Sequence, residues 1–202
     1  MIKVHHARRA RSARVIWLLE ELGVPYEVKQ LEFTPAALQT PEHLQAHPLG
    51  QLPVVEDGGL KMIESGAILE YLLERYGNGR LAPAVGSPQR PEYLQWFHYG
   101  EASLARYVSD VVRSRFGMPE SVRCAEYTPF ARERYRAALA PVDKALGTRE
   151  FITGPDFTAA DIMISYGIIM GKVTGELPAE LTNVAAYMKR LRERPAYDKA
   201  WN

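Results

Sequence analysis

Cysteine is almost missing from this sequence: Cys124 stands alone among 202 residues. A single thiol excludes an intrachain disulfide, a CxxC redox pair and a cysteine-rich metal site, and a reducing cytoplasm is the expected home. No apolar run approaches the ~18 residues that cross a bilayer, so no membrane partner is expected. Charge of one sign is lacking too. The 25 Lys and Arg balance 24 Asp and Glu for a formal net charge of +1, which leaves no basic excess to hold nucleic acid. The first residues, Met1 to His6, have no apolar signal-peptide core. Ile2 and Val4 read as the start of a folded strand, with an arginine-rich transit segment (Arg8, Arg9, Arg11, Arg14) as the alternative. Hydrophobic content of 47% with 24% charged residues is that of a folded globular chain and argues against disorder.

What is present falls into two halves. Ile2 to His6 reads as a strand, and Ser12 to Gly23 as a helix with Val15, Leu18, Leu19 and Leu22 on one stripe and Gly23 as its stop. Tyr26 to Leu31 alternates as a strand parallel to the first through that crossover helix. Pro41 to Ala46 suits a short helix. Pro53 to Glu56 and Leu60 to Ile63 flank Asp57-Gly58-Gly59 as a hairpin, and Glu64 to Tyr76 is amphipathic again. The order is βαβ, short helix, ββα. Glycines and prolines from Gly77 to Pro88 then break the pattern. Long helices follow around Pro91–Phe116, Arg123–Leu146, Thr158–Met170 and Asn183–Arg194, with a short Pro195–Trp201 segment at the end. The expected architecture is an α/β thioredoxin-like domain over residues 1–78, a linker over 79–87 and an all-α bundle over 88–202.

Three segments carry a family likeness: Arg11 to Glu27; His47 to Val55 with Ile63 to Leu72; and Phe157 to Ile162 followed by Arg194-Pro195-Ala196-Tyr197. Together they resemble the cytosolic glutathione S-transferase superfamily, in its bacterial-type members, in the right order over essentially the whole chain. The resemblance implies a transferase that conjugates the glutathione thiolate to small electrophiles, with glutathione as co-substrate, no tightly bound cofactor, no metal, and a homodimer. Within the same fold a glutathione-binding or protein-interaction module without turnover, or a glutathione-dependent isomerase or peroxidase, remains open.

By resemblance Pro53 is cis and Leu52 offers its backbone to the cysteinyl residue, with Gln51 a further contact. Ser65 and its amide would bind the γ-glutamyl carboxylate at a helix start, and Glu64 would pair with the α-ammonium. The bland alternative for Glu64 and Ser65 is ordinary helix capping. Gln39, His43 and His47 are candidates for the glycyl carboxylate, each also readable as a surface or packing residue. By resemblance the thiol-activating group sits in the loop after the first strand or at the start of the first helix. Ala10 stands where related sequences often carry a serine, so Ser12, or Arg11 through its charge, is the catalytic candidate. Ser12 could instead cap the helix. Tyr99, Ser103, Arg106, Tyr107, Phe116 and Tyr166 could line the electrophile pocket or pack in the core. Thr158 and Asp161 read as a structural capping box with Phe157 and Ile162 as its staple, and Cys124 as an inert packing residue.

Overall fold

The computed structural model describes residues 1–114 and 126–201. Phe116 and Cys124 lie outside the described residues. Two compact units are formed, one from Met1–Leu81 with the C-terminal stretch from Arg192, the other from Ala82–Leu191.

In the first unit the alternating Ile2 and Val4 bury one face of β1 (Ile2–His6). Helix α1 (Ser12–Leu22) follows, buried from Ser12 through Leu19 and stopped by Gly23, whose φ of 68° only glycine adopts readily. It carries the chain over to β2 (Tyr26–Gln30), which pairs parallel to β1 with Ile2 opposite Tyr26. Two short helices, α2 (Pro35–Leu38) and α3 (Pro41–Ala46), each start with a proline behind a threonine cap. The Thr34 and Thr40 hydroxyls accept from the amides of Ala37 and His43. Helix α2 goes beyond the elements expected from the sequence, because four residues are too few to show a period. Strand β3 (Val54–Asp57) runs antiparallel to β1, and β4 (Leu60–Ile63) returns antiparallel to β3 through Gly58 and Gly59, both at positive φ. Helix α4 (Ser65–Tyr76) closes the unit by packing on α1. The strand order is β2-β1-β3-β4, the thioredoxin-like arrangement.

The second unit is helical, with α5 (Arg90–Tyr99), a π-helical stretch (Gly100–Ala105), α6 (Arg106–Val112), α7 (Tyr127–Leu146), α8 (Ala159–Val173) and α9 (Thr182–Arg192). The π-helical stretch interrupts what periodicity alone reads as one long α-helix from Pro91. Helix α8 is the core, buried at every residue from Ala159 to Gly171. Gly100 lies so close to α8 that a Cβ there would stand 2.7 Å from the Met163 carbonyl oxygen, so only glycine permits the approach. The last helix, α10 (Pro195–Trp201), belongs to the first unit rather than to the helical half in which the sequence reading placed it. Tyr197 meets the edge of Trp17 with ring centroids 5.3 Å apart, and Arg194 grips both oxygens of Glu21 at 2.7 Å. Those partners are far apart in sequence, which is why local pattern assigned the segment to its neighbours.

Candidate functional site

The Leu52–Pro53 peptide bond is cis. Leu52 precedes the β3 ladder, and its side chain is buried in a small apolar cluster with Ala7, Ala10 and Leu38. What Leu52 can offer a ligand is therefore its backbone. Two features hold this segment. Gly50, at φ 59°, passes so near the α2 terminus that a Cβ would lie 2.4 Å from the Leu38 carbonyl oxygen. His43 then donates from Nε2 to the Gln51 carbonyl at 2.9 Å, while the Gln51 side chain is left exposed.

The three candidates for a carboxylate anchor here separate. His43 and His47 are buried, with rings stacked at 6.5 Å, and His5 continues the column 5.9 Å from His43. The His47 Nδ1 accepts from the Leu49 amide at 3.2 Å. Burial, and then the neighbouring His43, hold the His47 pKa below the usual histidine value. Both rings are bracing elements under the loop. Gln39 is exposed, with its amide against Gly50.

At the start of α4, Glu64 sits at φ 70° and ψ 107°, outside the regions open to an unstrained non-glycine residue, and its side chain is exposed. The Glu64 carbonyl accepts the first helical hydrogen bond, from the Ile68 amide at 2.9 Å, but no side chain caps the helix. Ser65 is buried, and its Oγ accepts from the Arg14 guanidinium at 3.0 Å. The first-turn amides, the helix dipole and a serine hydroxyl thus converge without a side-chain cap, an arrangement that favours a carboxylate. Arg14, which holds Ser65, was not among the expected site residues. The available signal was its place four residues before Leu18, on the apolar stripe of α1, where a charge needs a reason.

The loop from Ala7 to Arg11 departs most from expectation. Ala10 is buried in the apolar cluster with Leu52. Ser12 does not cap α1: the cap position is Arg11, with no side-chain cap bond, and Ser12 is the first helical residue, 0% exposed. Its hydroxyl shares a 2.9 Å hydrogen bond with His6 Nδ1, and burial lowers the His6 pKa. His6 was not among the expected site residues, since at the end of a strand it carries no motif. Arg11 is half-buried.

In the helical unit, Arg106 and Tyr107 open on a cavity of about 320 Å³ that Asp110, Tyr127, Phe130 and Arg134 also line. Arg106 pairs one helical turn along with Asp110 at 3.3 Å. Ser103, Tyr99 and Tyr166 do not line it. The Tyr99 hydroxyl donates to the Ala138 carbonyl at 2.9 Å, and Tyr166 is buried in α8. The Thr158–Asp161 capping box is formed. Asp161 accepts from the Ile152 and Thr158 amides, the Thr158 hydroxyl and the Tyr187 hydroxyl, at 2.7 to 3.0 Å. Among the described residues no cluster of three or more metal-donor side chains is assembled, and no helix is long and apolar enough to cross a membrane.

A thioredoxin-like unit with a cis-proline segment and an uncapped helix start, in a chain that continues into a helical unit, defines a two-unit thioredoxin-like class of protein. Residues 1–74 match the family model described as glutathione S-transferase, N-terminal domain. Glutathione S-transferase 3 of Schizosaccharomyces pombe is 31% identical over 97% of this chain and 85% of its own. Among solved structures, a glutathione S-transferase from Actinobacillus pleuropneumoniae is 28% identical, with a TM-score of 0.81 over 99% of this chain and 91% of its own. A family member from Pseudomonas fluorescens, solved with two glutathione molecules bound, is 26% identical, with a TM-score of 0.85 over 99% and 92%. The chain belongs to the glutathione S-transferase family.

Proposed function

We propose that the protein conjugates glutathione to small electrophiles, and that it holds glutathione on the Gln51–Pro53 segment and the start of α4. The observation that carries this reading is the open helix start. Ser65 and the first-turn amides face an uncapped positive pole, with the Glu64 carboxylate exposed beside it. On this reading Ser65 takes the γ-glutamyl carboxylate, Glu64 the α-ammonium, and the Leu52 backbone the cysteinyl residue. Gln51 and Gln39 are the exposed side chains left for the rest of the peptide. For the electrophile the reading keeps Arg106 and Tyr107, which open on a cavity. A reducing cytoplasm and a homodimer complete it.

Conjugation needs the thiol as thiolate near neutral pH, which a hydrogen-bond donor or a nearby cation supplies. Arg11 is the better candidate for that work, because the Ser12 hydroxyl is buried against His6. The same observation favours a second reading, a glutathione-binding module without turnover. Ultraviolet thiolate absorbance of glutathione, titrated with pH in the protein's presence, separates the two. A bound thiol ionising below its free pKa, lost in Glu64→Ala and reduced in Arg11→Ala, supports the transferase. Binding by calorimetry without any protein-induced thiolate supports the module. Absence of binding removes both.

A further inference from the structure

We propose that Arg14 is a positioning residue for the glutathione site, acting through Ser65: its guanidinium holds the Ser65 oxygen so that the hydroxyl hydrogen is left to donate to the ligand's γ-glutamyl carboxylate. This rests on the reading that the start of α4 holds that carboxylate.

The direction of the Arg14–Ser65 bond is not ambiguous. A guanidinium has donors and no acceptor, whereas a serine hydroxyl has one hydrogen and two lone pairs. Nη1 therefore donates and Oγ accepts, at 3.0 Å. The Ser65 hydrogen must point elsewhere. A serine at the cap position accepts from a first-turn amide and closes the cap, but Ser65 is the first helical residue, after Glu64 at the cap. Here no side chain caps α4 and the oxygen is engaged from α1 instead, so the hydroxyl serves as a donor. Both partners are buried, Arg14 at 0% exposure and Ser65 at 3%, which fixes the orientation against solvent exchange.

The placement also has an electrostatic meaning. A cation at a helix N-terminus opposes the helix dipole, and taking it out of water is costly. An anion at the start of α4 is favoured by the dipole and the guanidinium alike. The planar, permanently charged fork of arginine suits this better than the flexible ammonium of lysine. The result is a carboxylate subsite whose donor is set before the ligand enters, so that little ordering cost falls on binding.

The test is a double-mutant cycle on glutathione affinity, measured by calorimetry on the full chain. It is run in parallel with a glutathione analogue whose γ-glutamyl α-carboxylate is an amide. Ser65→Ala and Arg14→Gln are each expected to weaken glutathione by about tenfold, the scale of one hydrogen bond to a charged group. The double variant should bind within about threefold of Ser65→Ala, because the two residues act as one unit. Arg14→Gln should cost the amide analogue clearly less than it costs glutathione, because an amide oxygen accepts from the Ser65 hydroxyl more weakly than a carboxylate does, a selectivity that a general loss of packing would not produce. If Arg14→Gln does not fold, Arg14→Lys takes its place, with a smaller loss that is again larger for glutathione than for the amide. Multiplying losses in the double variant, or equal losses for both ligands, overturns the proposal, as does failure of both arginine variants to fold. If Ser65→Ala itself leaves glutathione binding unchanged, the reading of the site fails rather than the role of Arg14 alone.

Discussion

Two helix starts in this molecule solve the same problem in opposite ways. At α8 the chain closes on itself. Asp161, 0% exposed, reaches back to the Thr158 amide and hydroxyl and also takes the Ile152 amide and the Tyr187 hydroxyl. Burial pushes its carboxyl pKa up while those hydrogen bonds pull it down. At α4 the cap position is occupied by Glu64 at positive φ, no side chain caps the turn, and the nearby serine is engaged by an arginine from another helix. The closed start saves the cost of unmet amides within the fold. The open one leaves that saving to a ligand and carries backbone strain meanwhile. A helix N-terminus whose own side chains complete it is structural; one held open at a local cost is where binding is to be sought.

The comparison breaks most visibly at the closed end. Asp161→Ala removes one acceptor from four donors and leaves buried amides unmet, so a loss of about 3 kcal/mol or outright failure to fold is expected. Denaturant unfolding would measure it. A variant as stable as the parent would mean that the cap is ornamental. At the open end the pattern reverses. Glu64→Ala should weaken glutathione by roughly tenfold or more, with the stability changed by less than about 0.5 kcal/mol because the side chain is exposed. Calorimetry and thermal unfolding together check this, and a large drop in melting temperature would contradict it.

Glu64→Gly sharpens the contrast further. Glycine relieves the φ of 70° and should stabilise the fold by about 1 kcal/mol while still losing the ligand contact. Higher stability with lower affinity would identify stored strain; no gain in stability would mean that the conformation is not strained.

The smallest effect concerns pH. Burial lowers the pKa of His5 and of His47 below the unfolded value of about 6.5, against the opposing pull of Glu56 on His5 and of Glu64 on His47. The unfolded chain then binds more protons in that window, so the stability of the first unit falls as pH drops through about 6.5 towards the lowered native values. Asp161 has the opposite sign: its raised pKa penalises the helical unit above the native value, and acid relieves it. Amide exchange compared at about pH 7 and pH 5.5, corrected for intrinsic rates, should show protection lost first around β1 and α3. Earlier loss around α8 would reverse the assignment.

Most elements of the first unit were legible because local chemistry announces them: alternation in β1, the Leu18–Leu19–Leu22 stripe of α1, paired glycines between β3 and β4; α2 was too short to show a period. The Thr158–Asp161 cap was legible for the same reason. The site was legible only in part. Gln51, Leu52, Glu64 and Ser65 stand in one continuous motif, but the roles of His43, Ser12 and Arg14 depend on partners at Gln51, His6 and Ser65. For His43 and Ser12 those partners are nearby in sequence and still invisible, since no helical or strand period relates a ring nitrogen to a carbonyl or hydroxyl across a loop.

The sequence by itself determined the order of the main elements, the Gly23 stop of α1, the Thr158 start of α8 and the family, because these rest on periodicity, turn residues and contiguous motifs. Tertiary structure decided three things: that α10 joins the first unit through Arg194 and Glu21, that the buried histidines brace the loop, and that Arg14 reaches Ser65. A buried polar side chain takes its meaning from the one partner that satisfies it, and in the α10 and Arg14 cases packing brings in that partner from a distant part of the chain.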